Sequence, residues 1–168
     1  MAKRFIKALF LAILLTILYI IYNGVIDLFD IILGFIVSFI IGFMLCGFVL
    51  KDYGKILDYL RWFYGIAYIL LYFTVVEFRS HSTVLDIIVS PAKMKPGIVR
   101  IPYDVESDYA LVSLVNSITC SPGTVVIDVD EKHKVLYVHW IKVEDESDEG
   151  AREHVSRVFE EYIKNVFD

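Results

Sequence analysis

The sequence predicts an α-helical membrane region of two to three hydrophobic helices, followed by a small α+β domain of β-α-β-β-α order. Three observations carry that prediction. Two uncharged runs of membrane length lie within the first fifty residues. Charge is divided unevenly: Met1–Pro96 holds nine Lys/Arg against six Asp/Glu, and Gly97–Asp168 holds seven against fifteen. Beyond Pro96 the apolar spacing alternates between strand and helix periods. The expected division is residues 1–90 as membrane-embedded helices, 91–96 as a linker and 97–168 as an α/β domain. An acidic second half lacks the cationic face that nucleic acid requires, so nucleic-acid binding is not expected.

Ala8–Ile26 is 19 residues without a charge, preceded by Lys3, Arg4 and Lys7. It is longer than the apolar segment of a signal peptide and no small-residue cleavage site follows, so it reads as a retained spanning helix. Ile31–Leu50 adds 20 uncharged residues, enough to cross about 30 Å of hydrocarbon. The connection NGVIDLFD carries Asp27 and Asp30 but no Lys or Arg. Lys51, Lys55 and Arg61 follow the second run. The positive-inside rule therefore puts both ends of the hairpin in the cytoplasm, in a multi-pass protein of the plasma membrane.

Gly34, Ser38, Gly42 and Cys46 recur every four residues along the second run. Such a stripe lets another helix backbone approach closely in lipid. Its partner is either the first helix of the hairpin or a neighbouring subunit.

The third apolar stretch, Trp62–Val76, has only 15 uncharged residues. As a helix it covers about 22 Å, short of a comfortable span. Aromatic residues crowd it, as they do near membrane interfaces, and Arg79, Lys93, Lys95 and Arg100 follow. We expect a tilted, re-entrant or interfacial helix, with the α/β domain cytoplasmic. Glu77, with Asp27 and Asp30, lies nearest the uncharged runs. An acid in a membrane is a functional candidate, and Glu77 is carried as a possible ion-path residue beside the alternative of a solvated acid.

Pro91 and Pro96-Gly97 punctuate the linker. Ile98–Ile101 is a short strand. Ser107 is placed to cap a helix, in which Leu111, Leu114, Val115 and Ile118 form one buried face. Ser121-Pro122-Gly123 is a tight turn, with proline presetting φ and glycine accepting a positive φ. Val125, Ile127 and Val129 alternate with Val126, Asp128 and Asp130 in a second strand. Lys134–Ile141 returns as its hairpin partner. Acidic Asp145–Glu149 leads into a last helix carrying Val155, Val158, Phe159, Tyr162, Ile163, Val166 and Phe167, its negative charge suiting the helix N-terminus. If the first two strands are parallel neighbours, a right-handed crossover joins them. Two helices on one side leave the other sheet face substantially apolar, a surface for the membrane or a partner subunit.

Chemistry is sparse. His81, His133, His139 and His154 show no paired-ligand spacing. Phosphate-cradling glycine loops and nucleophile elbows are absent. Ser121 precedes a proline with no base nearby. Cys46 and Cys120 fit neither a disulfide framework nor a metal knuckle. No catalytic residue, cofactor or metal is expected, and the chain does not read as an enzyme.

Several segments together resemble the E subunit of Mrp-type multisubunit cation/proton antiporters. They are the two spans, the aromatic third segment, PGI at Pro96–Ile98, NSITCSPGTVVIDV at Asn116–Val129 and LYVHW at Leu136–Trp140. Related subunits occur in the Mrp-like modules of membrane-bound hydrogenases. The sharpest part is the turn motif of Asn116, Ile118, Thr119, Pro122, Gly123 and Thr124. Cys120-Ser121 stands where the family pattern has a hydrophobic residue and threonine. The resemblance implies a non-catalytic accessory subunit supporting Na+/H+ exchange, with other integral-membrane subunits and the lipid bilayer as partners. It implies no cofactor, because the proton paths lie mainly in the large subunits. The alternative is a membrane-anchored regulatory domain that binds a small ligand.

Overall fold

The computed structural model describes residues 2–24, 27–49, 53–56 and 58–168. Val25, Ile26, Leu50 and Lys51, which enter the reading of the hairpin, lie outside the described residues, as does the side chain of Lys3. The chain forms two compact units, Met1–Leu57 and Asp58–Asp168.

The first unit is a helical hairpin of α1 (Ala2–Asn23) and α2 (Leu28–Val49), followed by a single turn, α3 (Tyr53–Ile56). Both long helices are long and apolar enough to cross a membrane. Large side chains such as Ile17, Leu18, Ile40 and Met44 point outward. The buried seam is instead made mostly of small residues, which is how helices associate when lipid is as apolar as their own surface.

The second unit begins with one continuous helical segment, Tyr59–Val89, 31 residues long and also apolar enough to span. It consists of α4 (Tyr59–Leu71), a five-residue π segment (Tyr72–Val76) and α5 (Glu77–Val89). The apolar run ends at Val76, yet the helix does not. Charged residues are compatible with helix, and the hydroxyls of Thr74, Ser82 and Thr83 bond back to carbonyls one turn earlier. Asp58 caps its start, accepting from the Leu60 amide at 3.0 Å.

After a short 3₁₀ turn at Pro91–Lys93 come β1 (Gly97–Pro102), α6 (Asp108–Cys120), β2 (Thr124–Asp130), β3 (Val135–Trp140), α7 (Asp148–Val155) and α8 (Arg157–Phe167). Ser107 caps α6 as its sequence context predicts, accepting from the Ala110 amide at 3.2 Å. The sheet order is β1-β3-β2 and every pairing is antiparallel. β1 and β2 therefore run parallel but are not neighbours. The α6 crossover skips one position, and the returning hairpin strand β3 fills it. The condition for a crossover between adjacent parallel strands is therefore not met.

The strand periodicity of β2 needs correcting. A register shift between Val126 and Asp128 leaves Ile127 without a cross-strand partner. The bulge inserts one extra residue, so Val126 and Val129, opposite Val138 and Leu136, both face the core. Strict alternation would have put them on opposite faces. The expected last helix is two helices, broken at the fully buried Ser156. The break lets α8 turn Phe159 and Ile163 inward against Leu114, Ile118, Leu136 and Val138, the centre of the core. Tyr68, Tyr72 and Val76 of the long helix pack against the same core.

Candidate functional site

In the hairpin unit, Gly34, Ser38, Gly42 and Cys46 are the buried residues of α2. They face Ala8, Leu11, Ala12 and Thr16, which are buried on α1. A Cβ on Gly42 would meet the Ala8 carbonyl oxygen at 2.9 Å and the Ala12 nitrogen at 3.2 Å, and one on Gly34 would meet the Tyr19 ring at 2.5 Å. Thr16 satisfies its buried hydroxyl by donating to the Ala12 carbonyl at 2.7 Å. The complementary row Ala8, Ala12 and Thr16 is not among the residues singled out from the sequence. Its signal is present there, since small residues recur every four positions on α1 too. Gly42→Leu is expected to destabilise the hairpin by about 1–3 kcal/mol, because the obstacle is backbone and cannot swing aside. The control is Gly47→Leu, where nothing lies within 4 Å; thermal midpoints of the full chain in mild detergent should fall for the first variant alone.

In the second unit, the turn after α6 is closed by hydroxyls. Ser121 Oγ donates to the Ser117 carbonyl at 2.8 Å, and Thr124 Oγ1 donates to the Ile118 carbonyl at 2.6 Å. Thr119 Oγ1 accepts from the Val126 amide at 3.3 Å. The two donating hydroxyls satisfy carbonyls that a helix end leaves without intrahelical partners. Gly123 has φ +99°, and its carbonyl accepts from the Ile141 amide at 2.9 Å. Asn116 is exposed on α6, while Pro122 is half-buried in the turn. Ser117 also hydrogen-bonds the Tyr68 hydroxyl, tying α6 to the long helix.

Beside this turn lies a cleft of about 260 Å³. Val76, Trp140, Val155 and Phe159 give it apolar lining, and Arg79, Lys142, Glu144 and His154 are its charged members. Lys142 Nζ lies 3.0 Å from Glu144, and His154 Nε2 lies 3.6 Å away. The hydrogen bond from Lys142 holds the Glu144 carboxyl below its usual range, with His154 and Arg79 adding to the effect. The His154 ring packs on Trp140, centroids 5.9 Å apart, and its Nδ1 contacts the Gly150 carbonyl at 2.8 Å. Ser121 lines the cleft, but its hydroxyl is engaged with a carbonyl and not with an imidazole. Glu144 is the one acid of the group and is held by both Lys142 and His154, an arrangement suited to fixing elements in place.

The other singled-out residues lie apart. Glu77 opens α5 and is 22% exposed, with its carboxylate 3.2 Å from His81 Nδ1. His133 contacts Asp130 at 2.6 Å in the β2–β3 turn and, through that hydrogen bond, holds the Asp130 carboxyl below its ordinary value. His139 is half-buried on β3. Cys46 is buried and Cys120 exposed, both as free thiols. Among the described residues, no three His, Cys, Asp or Glu side chains gather as metal ligands.

These features define a class: a membrane protein with a small-residue helical hairpin, a long amphipathic helix and a three-stranded α+β domain. Residues 12–166 match the family profile MNHE, described as a Na+/H+ ion antiporter subunit, and the chain belongs to that family. It is 30% identical to the Na(+)/H(+) antiporter E1 subunit of Staphylococcus haemolyticus, over 88% of this chain and 92% of that one. It is likewise 30% identical to the Na(+)/H(+) antiporter E subunit of Alkalihalophilus pseudofirmus, over 68% of this chain and 70% of the other. A chain from the structure of the membrane-bound sulfane sulfur reductase, an archaeal respiratory membrane complex, is similar along nearly its whole length. The TM-score is 0.81 at 28% identity, covering 96% of this chain and 99% of that one.

Proposed function

We propose that this chain is a non-catalytic accessory subunit of a multisubunit cation/proton antiporter, or of the antiporter module of a membrane-bound, redox-coupled respiratory complex. Its task is to support Na+/H+ exchange carried out by larger subunits. The observation that carries this reading is the near full-length match to antiporter E subunits and to a chain of a respiratory membrane complex. Beside the turn after α6, Glu144 is tied to both Lys142 and His154, which supports a bracing role. The small residues of α2 hold the hairpin as one packed element. Residues 1–90 serve as the membrane-associated part and 91–96 as the link to a cytoplasmic domain at 97–168. The basic residues flanking the hairpin support that orientation. Glu77, which directly follows the apolar stretch Trp62–Val76 and contacts His81, is our candidate for an acid at the edge of an ion path.

Affinity purification of the tagged chain from its native membrane in mild detergent tests the reading. Co-elution of several polytopic antiporter-like subunits is expected, and redox-metal subunits among them would identify a respiratory parent complex. A stable lone chain that binds a small ligand would overturn the reading in favour of an anchored sensor domain.

A further inference from the structure

We propose that the long helix Tyr59–Val89 lies in the plane of the membrane, and that its outward face is a docking surface for the lipid interface of the bilayer. The proposal deepens the cytoplasmic-domain reading above and rests on it.

The first argument is one of length. The folded domain follows one face of this helix almost from end to end. Arg61 donates to the Val166 carbonyl at 2.9 Å, and a Cβ on Gly65 would touch Val166 at 4.0 Å. Tyr68 bonds Ser117 and packs on Tyr162. Tyr72 packs on Phe159. Val84 reaches the Gly123 turn, where a Cβ would meet it at 3.7 Å. From Arg61 to Val84 is about 35 Å of helix, and the hydrocarbon core is about 30 Å thick. A transmembrane pose would therefore carry the domain into the hydrocarbon beside the helix. Arg157, Glu161 and Lys164 of α8 are 44, 66 and 41% exposed. Charged side chains facing lipid at that depth are strongly disfavoured.

The second argument is the opposite face. Phe63, Ile66, Leu70, Phe73, Phe78 and Leu85 are each between 58 and 75% exposed. A helix with one apolar face and one face bound to a hydrated domain matches the pattern that lies in the interface, sunk to about 5–10 Å. Trp62 and Tyr64 flank that face, and both residue types favour the headgroup level. Because α6 and α8 separate the long helix from the sheet, the open sheet face carrying Ile98, Val125, Ile127 and Tyr137 then points away from lipid.

The test is depth measurement by spin-label power saturation. Phe63→Cys, Leu70→Cys, Phe78→Cys and Leu85→Cys are made singly in a Cys120→Ser full chain. Each is placed in phosphatidylcholine/phosphatidylglycerol vesicles, with oxygen and a water-soluble nickel chelate as collision partners. All four labels should report one shallow depth. A profile deepest at Leu70 and shallow at Phe63 and Leu85 would establish a span and overturn the proposal, as would four labels in water. Repeated in the purified native complex, shielding from both reagents would show a neighbouring subunit on this face and would also overturn it. The vesicle experiment contains no other subunit, so a failed co-purification leaves its result intact, and a wrong depth leaves complex membership intact.

Discussion

Glu160→Ala should lower the thermal midpoint of the chain in mild detergent by about 10 °C or more, read by tryptophan fluorescence. Glu160 is 3% exposed. One carboxylate oxygen accepts from Arg152 Nε at 2.9 Å and the other from the Asp104 amide. Asp104 in turn pairs with Lys164 at 2.6 Å, and the Asp168 carboxylate accepts from the Glu106 and Ser107 amides. Carboxylates on α8 and at its C-terminal end thus fasten the β1–α6 loop. Removing Glu160 leaves a mostly buried guanidinium with only its long contact to Glu149, 3.9 Å away, and takes the acceptor from the Asp104 amide. Breaking a buried pair from one side costs about 3–5 kcal/mol, and the residual exposure of Arg152 favours the lower end. Glu160→Gln keeps the side chain's shape and one acceptor oxygen but turns its NH2 toward the other donor, so it should recover only part of the loss. Equal losses in the two variants would mean that a single acceptor is not enough to hold the loop.

Gly123→Val should be nearly as severe. The φ of +99° is open to glycine and costs other residues about 1–2 kcal/mol in the left-handed region. The new Cβ would also meet Ile141 Cγ2 at 2.9 Å. That methyl branches next to its own backbone and cannot swing away, so crowding adds about 1–3 kcal/mol. The displaced turn would lose the bond from the Ile141 amide to the Gly123 carbonyl and its contact with Val84. Reduced recovery of the parent complex should accompany the lower midpoint. Gly123→Ala adds the same Cβ, so it carries the φ cost and the contact with Ile141 but not the bulk of valine's two further methyls, and its loss should be the smaller. A wild-type midpoint for both would show that the turn can relax without loss.

Much of the fold is legible because its signals are local. The uncharged runs, the serine before α6, the 3–4 spacing of Leu111 to Ile118 and the Pro-Gly turn each need only a few neighbouring residues. The turn motif also supports the family assignment. What escaped the sequence depends on partners far along the chain. The bulge at Ile127 is set by pairing with β3. The break at Ser156 is set by the need of α8 to reach the core. The strand order depends on where β3 inserts. In the candidate site, proline and glycine mark the turn, but the cleft brings Arg79, Trp140 and His154 together from three elements. The Arg152–Glu160 pair spans a helix break that an uninterrupted helical wheel does not contain.

The π segment at Tyr72–Val76 carries a consequence for Glu77. On an uninterrupted α-helix, the residue four after Phe73 continues the row of Phe63, Ile66, Leu70 and Phe73, and that residue is an acid. The wider turn retards the rotation of the chain by about one residue. Phe78, 75% exposed, takes the vacant place in the greasy row, while Glu77 turns aside to His81 at 22% exposure. The distortion thus works as a phase corrector. It lets one helix carry an acid through its middle while Phe78 stays in line with the apolar row on one side and the seat for the folded domain continues on the other.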